Sequence, residues 1–405
     1  MVRFAHLADC HIGAWRDSRL SDLADESFLM AITRCIEEAV DFVVIAGDLF
    51  HTALPGIERL RHTVKCLELL KQQSIPVYVI PGSHDYSPTG KTMLSVLQEA
   101  GLVVNVYREL DDAGTITLEP VVDKKTGVTL VGVLGRAGQL DTEKYGRLDR
   151  DALNALSSPK VFLFHAALSD LVSSRLAGSN AASVSLLPSG FDYYAGGHVH
   201  IIKDVSVKGY PHVVYPGPTF PANFSELEEL GGGSFCFVDL DSDSFTREYV
   251  KPRVVEVVQL ECSNKSAQEV SSELFEEIEG LSVENAVILV RAKGTLASGS
   301  AADIEFASAF IQANQRGAYA CLKSTSAVSS PEMMLAQSEV SSSNTKQIEA
   351  EVIEKFTDSK ELAGSPDQQQ LMHNLLSSLA QRQAEGEIKK DYEKRIVADA
   401  KKLLE

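Results

Sequence analysis

Short apolar runs recur through the first half of this chain, and each one stops abruptly at small or charged residues. Residues 4–8 are broken only by His6, and residues 42–46, 77–80 and 161–164 are continuous in their hydrophobicity, which is the pattern of buried strands. Between the first three lie stretches with apolar residues at helical spacing. Leu23, Phe28, Ile32 and Ile36 mark a helix over about 22–39, and Leu60, Val64, Leu67 and Leu70 mark another over 57–72, opened by Pro55-Gly56. A further helix is expected over about 91–100. The order strand, helix, strand, helix, strand predicts an α/β layer structure. Later runs at 116–122, 128–134, 205–207, 213–215 and 235–240 are broken by turns and predict an added antiparallel sheet. The expected core is a two-sheet sandwich flanked by helices.

The pattern changes after Arg253. Residues 254–260, 286–290 and 318–322 read as strands separated by helices at 266–279 and 301–314, a smaller α/β domain. Serine-rich stretches at 324–330 and 341–343 read as linker. Residues 347–405 return to a helical pattern, interrupted by Gly364-Ser365-Pro366. There Leu371, Leu375, Leu376, Leu379, Ile388, Tyr392, Ile396 and Leu403 stand among charges. A tail so amphipathic, with no core of its own, is expected to dock on a partner. The chain therefore divides into 1–253, 254–323, a linker over 324–346, and a helical tail over 347–405.

Composition adds exclusions. A chain of 405 residues suggests two or three domains. No apolar stretch approaches the roughly 20 residues of a membrane span, and the N-terminus runs straight into a strand without the pattern of a signal peptide. Six cysteines without a CxxC pair favour reduced thiols in a cytoplasmic compartment over disulfides or a structural zinc site. A net charge of −18 argues against a generally basic nucleic-acid binder. Nucleic acid stays open as a ligand, because a metal centre or a local basic face can supply the positive field.

The chemistry sits where the apolar runs end. Asp9-Cys10-His11, Gly47-Asp48, Gly82-Ser83-His84-Asp85, His165 and Gly197-His198-Val199-His200 each follow a strand-like segment. Asp and His delivered repeatedly at strand ends imply one composite metal site assembled from distant parts of the chain. Asp9 and His11, two apart at the end of an extended strand, are expected to point to one side, as are His198 and His200. A carboxylate such as Asp48 can bridge two ions by giving one oxygen to each. Mixed His/Asp ligation without Cys suits manganese, iron or zinc rather than calcium.

Taken in this order, the five motifs resemble those of the calcineurin-like metallophosphoesterase superfamily. Gly47-Asp48-Leu49-Phe50-His51 with Pro55 is similar to the GDLFH segment of the SbcD-type DNA-repair nucleases, called meiotic recombination eleven in eukaryotes. Val214-Tyr215-Pro216-Gly217-Pro218 resembles the segment leading into that family's capping domain. The resemblance covers about residues 1–322. It implies a metallophosphoesterase sandwich with a smaller α/β capping domain and a helical C-terminal tail. It further implies two divalent metal ions, manganese above all, one held by Asp9, His11, Asp48 and His200, the other by Asp48, Ser83, His165 and His198. His84 would serve the leaving oxygen, Asp85 would orient His84, and His51 would contact the scissile phosphate. The family usually has Asn where Ser83 stands, and a hydroxyl is a shorter and weaker neutral donor.

The function so implied is a manganese-dependent DNA exonuclease and endonuclease in double-strand-break repair, acting on duplex ends and single-stranded overhangs in a cytoplasmic, nucleoid-associated setting. Its partners would be a coiled-coil ABC ATPase of the SbcC type, bound through the tail, and a second copy of the chain, met through the helices after Asp22 and Pro55. Arg16, Arg19, Arg59, Arg61 and Lys91 are candidate DNA contacts because they are basic and near the metal-site loops. Two other readings compete: a phosphomonoesterase or small-molecule phosphodiesterase on the same scaffold, and a non-catalytic DNA-binding scaffold subunit.

Overall fold

A computed structural model describes residues 2–87, 92–112, 114–135, 141–171, 183–330, 368–381 and 389–404. Contacts divide the chain into two units. The first comprises residues 1–258, 277–290 and 308–324; the second comprises 259–276, 291–307 and 325–405.

In the first unit, β1 (Arg3–Leu7), β2 (Phe42–Ala46), β3 (Val77–Ile80) and β4 (Val104–Asn105) run parallel in that order. β5 (Glu109–Asp112) and β6 (Thr115–Leu118) form a separate antiparallel pair. A second sheet contains β7 (Val121–Val122), β8 (Thr129–Val133), β9 (Lys160–His165), β10 (Tyr193–Gly197), β11 (Ile202–Val207) and β12 (Tyr210–Pro216). Its spatial order is β11-β12-β10-β9-β8-β7. β13 (Gly233–Asp239) and β14 (Ser244–Val250) extend the first sheet antiparallel beyond β1.

This corrects the expectation of an added antiparallel sheet. β8, β9, β10 and β12 are mutually parallel, and only the edge strands β7 and β11 run antiparallel within the second sheet. The physical reason is burial on both faces, which parallel strands between helices and a facing sheet require and which erases alternation from the sequence. Along β2, Val43 and Ile45 join one apolar cluster while Phe42, Val44 and Ala46 join another. The first cluster lies under α1 (Ser18–Glu37), α2 (Ile57–Gln72) and α3 (Met93–Glu99), which contribute Phe28, Ile32, Leu67, Leu70, Leu94 and Leu97. The second is the layer between the sheets, where Phe4, Val44 and Ile80 meet Leu130, Val161, Leu163 and Val214. On β9 the period of two reappears: Val161 and Leu163 face this layer, while Phe162 and Phe164 face a third cluster. That third cluster includes Tyr145 of α4 (Asp141–Gly146) and Leu153 of α5 (Arg150–Asn154).

α1 begins four residues before the expected start because Asp17 caps it, its carboxylate accepting the N–H groups of Arg19 and Leu20. Another short helix, α6 (Phe224–Leu230), follows the Pro216-Gly217-Pro218 segment.

Beyond the sandwich, β15 (Val255–Glu261), α7 (Ala267–Gly280), β16 (Val287–Thr295), α8 (Phe306–Gln315) and β17 (Ala320–Ser329) alternate, and the strands form a three-stranded sheet with β16 central. The serine-rich stretch at 324–330 is therefore not linker but strand as far as Ser329. The Leu296 N–H donates to the Ser329 carbonyl at 2.9 Å. Thr325 and Val328 supply β-branched residues there, and backbone pairing is indifferent to the serine side chains between them. The stretch at 341–343, and the tail as far as residue 367, lie outside the described residues. Within the second unit α9 (Gln368–Leu379) and α10 (Lys389–Leu404) pair as a helical hairpin. The Tyr392 hydroxyl donates to the Gln381 carbonyl at 2.8 Å, and Arg395 donates to Gln381 Oε1 at 2.7 Å. No described helix is long and apolar enough to cross a membrane.

The layer between the sheets fixes where the strand ends meet. Leu163→Ala, at a fully buried position in it, is expected to cost about 2–5 kcal/mol. Equilibrium urea unfolding of the two proteins measures this, and a loss below about 1 kcal/mol would show that the layer closes over the gap.

Candidate metal centre

Five strands, three from one sheet and two from the other, end at the same place. The residues just beyond β1, β2, β3 and β10, and the last residue of β9, carry the Asp and His side chains that the sequence singles out. Convergence at the carboxyl ends of parallel strands is where open α/β sheets bind ligands. The backbone there is not extended. Asp9, His11, Asp48, His198 and His200 all have positive φ, at 51°, 43°, 52°, 99° and 51°. Residues other than glycine seldom adopt this region, and clusters of them mark sites where surroundings impose the conformation. Here the surroundings are hydrogen bonds between the loops. Asp9 N–H donates to the Gly47 carbonyl at 3.1 Å and His11 N–H to the Asp48 carbonyl at 2.9 Å. His198 N–H donates to the Asp9 carboxylate at 2.8 and 3.1 Å. The paired motifs reach a common side through left-handed turns rather than by strand alternation.

Asp48 lies at the centre. Its Oδ1 accepts the His84 backbone N–H at 2.8 Å. Its Oδ2 lies 3.1 Å from His165 Nε2, 3.5 Å from His11 Nε2, and accepts from the Ser83 hydroxyl at 3.4 Å. One oxygen, rather than one for each side, thus faces both groups of donors. Gly47 and Gly82 make this possible, because a Cβ on the first would run into the His165 ring and one on the second into the Asp48 carboxylate.

The donor atoms suit a cation. His165 Nδ1 lies 2.8 Å from the Ala46 carbonyl oxygen, a pure acceptor, so that nitrogen carries the proton. In the neutral ring Nε2 then presents a lone pair to the Asp48 carboxylate, and two acceptors face each other unless something positive lies between them. Without a metal that charge is a proton. Burial opposes it, yet the Asp48 and Asp9 carboxylates and the Ala46 carbonyl push His165 up to about 10. Burial also works against ionising Asp48, but His165, His11 and the His84 N–H hold it well below the usual carboxylate range. His198 is pushed down to about 4 by burial and by its neighbour His165, with the smaller pull of Asp48 opposing. Burial likewise lowers His11, and raises Asp9. A neutral His beside an ionised carboxylate is the form in which both serve as ligands.

The first expected ligand set is brought together: one ligand atom from each of Asp9, His11, Asp48 and His200 lies within 4.8 Å of the others. In the second set, His165 closes on Asp48 as above, its ring 5.0 Å from that of His198, and Ser83 borders the same oxygen. His11, His51 and His84 make a further group of the same compactness. His84 is exposed, its ring stacked on that of His51 at 4.7 Å, and its Nδ1 lies 2.8 Å from the His51 carbonyl oxygen.

Asp85 contacts the backbone. Its buried carboxylate accepts from the N–H groups of Leu49 and Phe50 at 3.0 Å and of Gly82 at 3.2 Å. Burial and the neighbouring Asp48 charge push it up to about 7 against those donors. It ties the β3 turn, which carries His84, to the β2 loop, while His84 Nδ1 donates to the His51 carbonyl oxygen. Among the candidate DNA contacts, Arg59 pairs with Asp22 and Asp25, Arg61 with Glu58, and Arg19 bonds Asp17 and the Tyr319 carbonyl. Arg16 is exposed, and Lys91 lies outside the described residues. One neighbour of the site was not foreseen: Glu226 Oε1 lies 2.9 Å from His200 Nδ1. The only signal for it is local, an Asn223-x-x-Glu226 pattern at a helix start.

Residues 2–201 match the family model described as calcineurin-like phosphoesterase. Several relatives are described as DNA double-strand break repair protein Mre11. That of Archaeoglobus fulgidus is 28% identical over 56% of this chain and 52% of its own length. That of Methanopyrus kandleri is 31% identical over 68% and 61%, and that of Methanococcus maripaludis 28% identical over 60% and 64%. The chain thus spans between half and two thirds of the length of these relatives.

Because three buried N–H groups depend on one carboxylate, Asp85→Ala is expected to destabilise the metal-free protein by several kcal/mol, at about 1–3 kcal/mol for each unpaired donor. Asp85→Asn, which keeps an acceptor oxygen, should lose markedly less. Urea midpoints in the presence of chelator compare them, and equal losses would mean that charge rather than hydrogen bonding is what matters.

Proposed function

This chain belongs, through residues 2–201, to the calcineurin-like phosphoesterase family, and from that membership we propose that it is a two-metal, manganese-dependent DNA nuclease acting on double-strand breaks. The observation that carries the proposal is the juxtaposition of a His/Asp ligand cluster with an exposed imidazole. His84 sits on the turn whose backbone N–H holds Asp48, so it stands beside the cluster without belonging to the set Asp9, His11, Asp48 and His200. Similarity to the Mre11 relatives supports DNA as the substrate.

In this reading Asp9, His11, Asp48 and His200 hold one divalent ion, and Asp48, Ser83, His165 and His198 hold the other. Bound together, two such ions clamp a phosphodiester and offset the charge that builds on the transferring phosphoryl group. The chain's own residues do the rest. His84 Nδ1 donates its hydrogen bond to the His51 carbonyl oxygen, which leaves Nε2 as the atom that delivers a proton to the departing oxygen. His51, stacked on His84 and with its Nδ1 3.3 Å from His11 Nδ1, lines the approach to the scissile phosphate. Asp85 holds the turn at the depth that places His84.

The amphipathic hairpin of α9 and α10, which leaves Leu376, Leu379 and Val397 exposed, supports the tail as the docking element for a coiled-coil ATPase. Exposed Leu29, Met30 and Ile57 on α1 and α2 support pairing with a second copy through those helices.

The proposal is tested with manganese-loaded protein on end-labelled duplex DNA, and on p-nitrophenyl phosphate esters. Cleavage of the esters alone would reassign it to small-molecule hydrolysis, and cleavage of neither would leave a binding subunit. His84→Gln is expected to abolish DNA cleavage while bound metal, measured by plasma mass spectrometry, stays near the wild-type content. Loss of metal would make His84 a ligand instead. Ser83→Asn places an amide oxygen on the same turn and is expected to lower the manganese concentration for half-maximal cleavage about threefold to tenfold, on the order of 1 kcal/mol. Superimposable manganese titrations would show Ser83 to be a full ligand.

A further inference from the structure

The ring of His200 is gripped from the side away from the ligand cluster. α6 starts at Asn223, whose Oδ1 accepts the Glu226 N–H at 3.1 Å, and Glu226 Oε2 reaches back to accept the Ala222 N–H at 2.9 Å. This much is a helix-start capping arrangement, to which Oε1 also contributes by accepting from the Asn223 side-chain amide at 2.5 Å. The same Oε1 lies 2.9 Å from His200 Nδ1, a contact that capping does not require. A carboxylate only accepts, so Nδ1 carries a proton and the ring turns Nε2 inward. Nε2 then lies 2.8 Å from His11 Nε2 and 3.9 Å from Asp9 Oδ1. The helix supplying Glu226 is itself fixed, since Leu227 is fully buried in a cluster with Leu20, Leu23, Phe220, Val287 and Leu289.

We propose that Glu226 is a positioning residue for the metal centre. By holding the proton on His200 Nδ1 and the ring in one orientation, it presents the Nε2 lone pair for ligation and raises its basicity, as carboxylate–histidine pairs do around bound metals. This rests on the reading that Asp9, His11, Asp48 and His200 hold a divalent ion. The buried packing of α6 makes the orientation rigid before any ion arrives.

Two measurements on the full chain test it. In metal-free protein, the side-chain nitrogens of His200 are followed by 15N NMR across its titration, assigned with His200→Gln. Wild-type Nδ1 is expected to stay protonated throughout, whereas in Glu226→Ala the proton of the neutral ring divides between the two nitrogens. Manganese titration by calorimetry is expected to show binding about 10- to 100-fold weaker in Glu226→Ala. Glu226→Gln, whose amide oxygen still accepts, should keep the Nδ1 proton and lose less than about tenfold. A merely structural role in capping α6 would lower the melting temperature without moving the His200 nitrogen shifts. The proposal is overturned if wild-type His200 carries its neutral-ring proton on Nε2, a result that needs no variant to fold, or if Glu226→Ala leaves the shifts and manganese affinity unchanged. Wild-type protein that binds no manganese yet keeps its proton on Nδ1 would instead sink the reading of the metal centre and leave the orientation by Glu226 in place.

Discussion

The carboxylate of Asp48 is the point to which the candidate centre is tied. One of its oxygens receives the backbone of the β3 turn, and the other faces His165 from the second sheet and His11 from the β1 loop. Each of these groups arrives from a different strand, so Asp48 can hold them only if the two sheets keep their spacing and register. The interior of the sandwich serves that end: Phe4, Val44, Ile80, Leu163 and Val214 are fully buried between the layers. A buried carboxylate amid facing lone pairs is electrostatically costly unless positive charge is supplied. Without metal, a proton on His165 supplies it, which is why that imidazole is driven far above its ordinary range while Asp48 stays ionised. A site that must bind a proton when empty is already shaped for a cation.

Conformational strain belongs to the same constraint. Five of the site residues occupy left-handed backbone, and none of them is glycine. Each such residue costs roughly 1–3 kcal/mol, so the loops keep these shapes only because hydrogen bonds between them over-determine the path. Asp85 contributes two of those bonds from one buried side chain, joining the β2 and β3 loops, and a third within its own turn. Rigidity of this kind has a chemical use: ligand atoms already in place lose little freedom when the ion binds.

Much of this was legible in the sequence, and the remainder was not, for definable reasons. Asp9, His11, Asp48, His165, His198 and His200 could be picked out because Asp and His recur at the ends of apolar runs, which is a local signal. The direction of β8, β9 and β12 could not, because strands buried on both faces carry no alternation, and parallel pairing is decided by distant partners. The strand portion at 324–329 was hidden because serine reads as linker, while its pairing is with β16, a partner distant in the sequence. Glu226 was hidden for a similar reason: its local role as a helix-start residue is fully accounted for by Asn223 and Ala222, and only the fold shows the second oxygen against His200. The contacts of Asp85 are with backbone N–H groups, which leave no trace in side-chain patterns.

Charge sets a last condition on any reading that brings DNA to this centre. The chain carries a net charge of −18, so its overall field repels a polyanion. Several cations near the loops do not correct this, since Arg59 is shared between Asp22 and Asp25 and Arg61 faces Glu58. Attraction must then be short-ranged and concentrated where phosphate would sit. Divalent ions there would add four positive charges beside two carboxylates, Asp9 and Asp48, and would turn a locally acidic pocket cationic. Affinity for DNA would in that case follow metal occupancy as closely as cleavage does. The contrast is with a binder built on lysine and arginine, which holds DNA whether or not metal is present and loses affinity steeply with salt. If DNA is the ligand, an acidic chain with a metal-dependent hold on phosphate would engage it chiefly where the phosphate backbone can reach the ions.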